Sequence, residues 1–236
     1  MYKVDHAIIV AAGKGKRMRP LTLDTPKPLI RVNGIRMIDT VIRALHANNI
    51  YKIYLVVGFL KEKFSGLEKE YPGVVLIENP YYDNCNNISS LYAAREYIGG
   101  AIILDADQII YNERVLAKNF ERSCYNCVWN EQETKEWLLT TENGTVTHCS
   151  RTGGRRGWQL YSISRWTVED GKRLKKHLET EFEKKNNTQI YWDDIALFCY
   201  PEDYSLGIYE MEDGDVLEID DIRELAAQDE SYEKFL

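Results

Sequence analysis

Long apolar stretches are missing from this chain of 236 residues. No run approaches the ~20 residues that cross a bilayer. The opening MYKVDHAIIVAAGKGKRM breaks its apolar segment too early for a secretory signal. Proline and glycine are sparse, six and 15, which excludes a fibrous or disordered chain. Five scattered cysteines (Cys85, Cys124, Cys127, Cys149, Cys199) are an odd set that suits reduced thiols. Cys124-x-x-Cys127 has no second pair to complete a zinc site and sits in an apolar setting, so it reads as structural. The four histidines are scattered, and no Ser/His/Asp or Cys/His constellation stands out. Positive charge is in deficit: the formal net charge is −7, which opposes non-specific binding to a nucleic-acid backbone. These absences predict a cytoplasmic chain with no nucleic-acid partner and no membrane insertion.

What is present is a core-forming chain, 44% hydrophobic. Ala7 to Ala12, Ile53 to Gly58, Val74 to Glu78 and Ala101 to Asp107 read as buried parallel strands. Helical patterns lie between them: Met37 to Ala47 puts Ile38, Val41, Ile42 and Leu45 on one face, and Ile88 to Tyr97 groups Ile88, Leu91, Tyr92 and Arg95. The alternation predicts an α/β fold, a doubly wound, mostly parallel Rossmann-like sheet with helices on both faces. Its ligand belongs at the carboxyl ends of the strands. After Asp107 the pattern becomes antiparallel, over Cys124 to Trp129, Glu136 to Thr141, Val146 to Ser150 and Trp158 to Ile163, with a turn at Asn143-Gly144. A charged helix from about Val168 to Lys185 follows, then a helix opening near Tyr191. A strand pair over Leu206 to Tyr209 and Val216 to Ile219 precedes a terminal helix after Asp220. One continuous domain, 1–236, is expected, with a small mixed subdomain from about 123 onward.

The first strand runs into AAGKGKRMRPLTLDTPKPL. A glycine-rich turn there presents backbone N–H groups where phosphates bind. The P-loop pattern is absent. A dinucleotide fingerprint would need glycine at Met18 and no Pro20. Lys14, Lys16, Arg17 and Arg19 crowd this strand exit and Lys27 follows, so the locally positive lip of an acidic protein calls for an anionic partner.

Gly13-x-Gly15-x-Arg17-Met18-x-Pro20-Leu21-Thr22, followed by Pro26-Lys27-Pro28-Leu29, resembles the signature of the sugar-nucleotide pyrophosphorylase superfamily. Within it the chain resembles bacterial CTP:phosphocholine cytidylyltransferases and their relatives that activate 2-aminoethylphosphonate, through NPYYDNCNNISSLY, ILDAD, EW, YWDD and EID in order. The resemblance implies a nucleotidyltransferase that moves CMP from CTP to phosphocholine, 2-aminoethylphosphonate or phosphoethanolamine and releases pyrophosphate. It implies Arg17 at the β- and γ-phosphates and Lys27 over the α-phosphate. The glycines at 13 and 15 would let the backbone approach the triphosphate closely. It also implies a Mg2+ ion held by Asp107 and Asp220, with Asp105 supporting and Asp221 capping a helix.

In relatives the nucleobase lies between the backbone of Ala11, Ala12 and Gly13 and the polar segment from Tyr81 to Ser90. This places Asn87 and Ser89 at its edge and Tyr81 as a stacking ring. The acceptor would meet Trp137, Tyr191 and Glu218, aromatic faces beside carboxylates that suit an ammonium group. Trp129, Trp158 and Trp166 are left as core or lid residues. The cation-rich segment Ser150 to Trp158 departs from a phosphocholine enzyme and suits an acceptor phosphonate or phosphate carrying two negative charges. A sugar 1-phosphate acceptor is the second enzyme reading, and a non-catalytic nucleotide-binding regulatory subunit is the rival from another class. A fused module or a homodimer partner is compatible with the family.

Overall fold

The computed structural model describes residues 1–236. Its first half comprises β1 (His6–Ala11), α1 (Met37–Ala47), β2 (Ile53–Val57), β3 (Val74–Glu78), α2 (Ile88–Ala93) and β4 (Ala101–Asp105). The four strands are parallel in the order β3-β2-β1-β4. Side-chain alternation along β1 serves two cores at once. Ile9 packs with Ile38, Val41 and Ile42 of α1, whereas its neighbour Ile8 packs with Ile88 and Leu91 of α2. A strand covered on both faces must be apolar throughout, and every residue of β2 is buried.

The second half adds β5 (Gln108–Ile110), β6 (Cys124–Asn130), β7 (Leu138–Glu142), β8 (Thr145–Ser150) and β9 (Gly157–Arg165). It ends with α3 (Val168–Glu179), β10 (Gly207–Glu210), β11 (Val216–Glu218) and α4 (Ile222–Gln228). β9 lies antiparallel beside β4, with Ile163 opposite Leu104, so one sheet runs through both halves. β6 pairs with the other edge of β9, and the β7–β8 hairpin joins at Leu138 and Leu139. Asn143 and Gly144 both take positive φ, 50° and 74°, the conformation a tight two-residue hairpin loop requires.

Three expectations change. The segments around Leu206 and Val216 are strands but not partners: β10 runs parallel to β6, and β11 pairs antiparallel with β5. Each fills an open edge elsewhere in the fold, which alternation within a strand cannot announce. The charged helix ends as an α-helix at Glu179 and widens to a π turn over Thr180–Lys184. The segment after Tyr191 forms a single π turn, Ile195–Cys199.

A third, smaller core unites Met18, Ile30, Met37, Ile109, Ile219 and Leu225. Burial of each such side chain stabilises by about 1.5–3 kcal/mol. This cluster ties the glycine-rich lip, β5, β11 and α4 into one body. Glu218 sits opposite Gln108 in the β5–β11 ladder, and the Ile219 amide donates to the Asp107 carbonyl at 3.2 Å. That register carries residue 220 back to residue 107.

Candidate active site

β1 has β2 on one side and β4 on the other, so the chain reverses its direction of winding between β1 and β4. Crevices form at such a switch point, beyond the carboxyl ends of the strands. The cleft there holds about 800 Å³. Its walls include the backbone from Val10 to Arg17, the turn after β4, the segment Tyr82 to Asn87 and, from the second half, Glu136, Trp137, Tyr191, Asp193, Glu218 and Asp220.

The lip folds tightly because Gly15 has φ +56°, and a Cβ there would lie 3.0 Å from Thr22 Cγ2 and 3.2 Å from Lys27 Cβ. Thr22 Oγ1 donates to the Gly15 carbonyl at 2.8 Å, and Met18 is fully buried beneath. Lys27 is therefore pressed inward, only 8% exposed. Its Nζ donates to Asp107 Oδ2 at 2.7 Å and to Asp220 Oδ1 at 3.1 Å, while Arg17 reaches Asp220 Oδ1 at 2.7 Å. Burial opposes the charge of Lys27, yet Asp107 and Asp220 outweigh it and hold its pKa above the ordinary lysine value.

Carboxylate oxygens of Asp107, Glu218 and Asp220 lie within 4.8 Å of one another. Asp107 Oδ1 is buried and has no hydrogen-bond partner. Three hard oxygen donors with one orphaned atom fit a divalent cation of the magnesium type, whose remaining ligands come from water and phosphate. Burial, then the charges of Asp107 and Asp220, push Glu218 up to about 8. Asp105, at the crowded floor of the cleft, is raised well above its ordinary value by burial and by Asp107. Asp221 caps α4 in a capping box with Glu224.

At the other wall, Asn79 is fully buried at the end of β3. Its Nδ2 donates to Ser89 Oγ and Ser90 Oγ at 3.0 and 3.1 Å, and its Oδ1 accepts from the Tyr81 amide at 2.8 Å. This pins the polar loop against α2. Asn87 Oδ1 accepts from the Trp192 amide at 3.0 Å, joining that loop to the second half. Lys14 pairs with Asp83, bridging the lip and the loop. Trp137 and Tyr191 stand perpendicular, ring centroids 5.7 Å apart, at the far end.

Of the sequence-derived candidates, Ala11, Ala12, Gly13, Gly15, Arg17, Lys27, Asn87, Ser89, Asp107, Trp137, Tyr191, Glu218 and Asp220 all border this cleft. Tyr81 is the exception. Its ring packs edge-on against Tyr92 and Phe182, outside the cleft, and Tyr82 takes the wall position. Gly58 makes that possible, because a Cβ there would lie 2.7 Å from Tyr82 Cγ. Glu218, expected at the acceptor, stands within the acidic triad as well. The arginines of the 150–158 segment do not line the cleft. Arg151 pairs with Asp194 at 2.7 Å and lies over Phe198, and Arg156 lies over Trp129. Trp166 is fully buried, whereas Trp129 is exposed. Sequence reasoning missed Asn79, and it marked Asp193 only as one of the carboxylates beside Tyr191 and Trp192. A polar residue ending a buried strand was the available signal for Asn79, the same signal that drew attention to Asp107.

Residues 7–175 match the model of the MobA-like NTP transferase domain. The chain belongs to that family. It is 39% identical over 230 residues to the 2-aminoethylphosphonate cytidylyltransferase of Lancefieldella rimae, covering 96% of this chain and 93% of the relative. It is 31% identical to the choline-phosphate cytidylyltransferase of Streptococcus pneumoniae, covering 92% and 94%. The solved CTP:phosphocholine cytidylyltransferase of S. pneumoniae superposes with a TM-score of 0.89 at 30% identity, over 97% of this chain and 99% of that one. The inositol-1-phosphate CTP transferase of T. maritima, with a TM-score of 0.77 at 16% identity, shares the fold. The mixed sheet is thus the common frame of this MobA-like chain and its neighbours. No helix of the chain is long and apolar enough to cross a membrane.

Proposed function

We propose that the chain transfers CMP from CTP to a small acceptor carrying both an anionic phosphate or phosphonate and a cationic amine. The observation that carries this reading is the opposition of charge along one cleft: Lys27 and Arg17 meet Asp107 and Asp220 at one end, and Trp137 and Tyr191 stand with Glu136 and Asp193, which form no salt bridge, at the other. The base of CTP lies between the Ala11–Gly13 backbone and the loop bearing Tyr82, Asn87 and Ser89. Amide and hydroxyl groups there offer both donors and acceptors to a pyrimidine edge. The triphosphate lies under the glycine-rich lip.

Asp107 and Asp220 would hold Mg2+, with Glu218 beside them. When bound, it supplies charge neutralisation at the triphosphate oxygens. An acceptor oxygen, already anionic at neutral pH, attacks the α-phosphorus. The new P–O bond forms as the bond to the bridging oxygen breaks, and that electron pair leaves with pyrophosphate. Lys27 stabilises charge gathering on the α-phosphoryl oxygens, and Arg17 stabilises the departing pyrophosphate. No general base is required, so positioning and electrostatics carry the rate. Residues 1–122 serve mainly the nucleotide and 123–236 mainly the acceptor, within one continuous unit.

Pyrophosphate release tests the reading. The four nucleoside triphosphates are each combined with phosphocholine, phosphoethanolamine, 2-aminoethylphosphonate and glucose 1-phosphate. The expected result is turnover with CTP and an amine-bearing acceptor, and little with glucose 1-phosphate. No turnover in any combination would leave a nucleotide-binding regulatory role instead.

A further inference from the structure

A second hollow, of about 500 Å³, shares none of the residues that line the cleft. Ile35, Arg43 and Ala44 enter it from the start and flank of α1, and Tyr111, Glu113 and Arg114 from the segment just after β5. Its frame is pinned from several directions. Thr40 Oγ1 accepts from the Ile110 amide at 3.1 Å and so ties α1 to β5. The Tyr111 and Asn112 amides donate to the Asp215 carbonyl at 2.9 and 3.1 Å, and Asn112 Nδ2 donates to Asp215 Oδ1 at 2.8 Å. Asn112 Oδ1 accepts from the Arg114 amide at 3.1 Å, which sets the turn that carries this arginine. A hollow held in this way is formed before any ligand arrives.

Its charge is not compensated from within. Arg17, Arg36, Arg95, Arg151 and Arg173 each reach a carboxylate at 3.4 Å or less. Arg43 and Arg114 are exposed and make no ion pair, and Glu113 beside them pairs with neither. The neighbour of Arg43 is the neutral Tyr71 hydroxyl. Two guanidiniums sharing one hollow on a protein of net charge −7 favour an anion, and their planar forks match phosphate oxygens two at a time. The rim adds a second requirement. Tyr111 is 61% exposed and Ile35 44% exposed, an aromatic ring and an aliphatic chain turned to water beside the arginines. A bare phosphate would leave both uncovered and most of the volume empty. A phosphate joined to a flat ring would use the whole hollow, because a base stacks on an aromatic side chain.

We propose that this hollow is a second binding site, for a nucleotide, whose phosphate is held by Arg43 and Arg114 and whose base lies against Tyr111 and Ile35. It works without a metal, since the guanidiniums supply the countercharge. Tyr111 stands four residues beyond Asp107, about 13 Å along an extended strand, so the occupant touches the far end of the β5–β11 ladder that aligns Asp107 with Asp220. The site goes beyond the cytidylyltransferase reading and uses separate residues.

The test titrates 15N-labelled protein with CMP in EDTA and follows the amide chemical shifts. Saturable shifts are expected at Ile35, Ala44, Tyr111 and Arg114, with a Kd of about 1 mM or tighter. Cytidine and inorganic phosphate, as separate probes, should each bind there at least about tenfold more weakly, having lost one half of the contacts. Arg43→Ala and Arg114→Ala should each weaken CMP at the hollow about tenfold, the scale of one charge-assisted hydrogen bond. Neither residue borders the cleft, so kcat and KM for CTP should stay within about twofold of wild type. No saturable shift at these amides would overturn the proposal, as would full wild-type affinity in both arginine variants. Inorganic phosphate binding as tightly as CMP would overturn the nucleotide assignment, because the rim would then contribute nothing. Both arginines are exposed, and the wild-type titration decides the matter without either variant. A failed pyrophosphate assay would remove the cytidylyltransferase reading and leave this titration unchanged, so the two failures are distinguishable.

Discussion

At one end of the cleft Lys27 bridges Asp107 and Asp220 at 2.7 and 3.1 Å and Arg17 adds a second cation, so opposite charges already compensate one another. At the other end Glu136 and Asp193 border the cleft and make no salt bridge, and burial pushes Asp193 up to about 7. The compensated end is shaped to hand its carboxylates to a metal and its cations to phosphate in one exchange. The uncompensated end waits for a cation. An enzyme that must bring two polyanions together can use such an asymmetry to orient the acceptor, since its amine has only one end at which to settle.

The largest effect that would sharpen this contrast comes from Lys27→Ala. We expect kcat to fall about 10³-fold, equivalent to about 4 kcal/mol, with acceptor KM within about threefold of wild type. A near-normal rate would break the comparison at its charged end. Trp137→Ala is the mirror case: acceptor KM should rise about tenfold while CTP KM stays within about twofold, as loss of one cation–π face predicts. An equal rise in both would mean that the two ends are not separate.

Asp193 also sets a stability prediction. A carboxyl whose folded pKa is raised favours the folded state below its unfolded value near 3.8, and that benefit is lost as pH rises toward about 7. Asp193→Asn should therefore raise the melting temperature by about 5 °C at pH 8 and by less at pH 5. Equal shifts at both pH values, read by calorimetry, would contradict a carboxyl whose pKa is raised by burial. The smallest effects separate two neighbouring rings. Tyr81→Ala should leave CTP KM within about twofold, while Tyr82→Ala should raise it about fivefold, on the scale of one aromatic contact.

The first half of the molecule was legible because its signals are local. β1 to β4 follow apolar runs, α1 follows 3.6-residue spacing, and the lip announces itself as glycines and cations at a strand exit. Asp107 and Asp220 needed the family resemblance, because their meeting depends on the β5–β11 ladder between segments more than 100 residues apart. The second half hid its pairings for the same reason, and β10 and β11 were joined to each other rather than to β6 and β5. Tyr81 and Tyr82 could not be told apart because a turn has no alternation; the space left by Gly58 decides. Asp193 and Asp194 are chemically identical in sequence, and their partners distinguish them: Arg151, arriving from another strand's end, and the Tyr191 amide bind Asp194.

Convergence of the lip and the distant carboxylates on one polyphosphate–metal cluster is measured most directly by Mn2+ binding, followed by electron paramagnetic resonance with and without CTP. Wild type should bind one Mn2+ far more tightly with CTP than without, because in the free protein Lys27 occupies two of the carboxylates. Asp107→Asn and Asp220→Asn should each weaken the CTP-dependent site at least about tenfold, the scale of one lost hard oxygen ligand. A CTP-dependent Mn2+ site unaffected by either substitution would contradict the account.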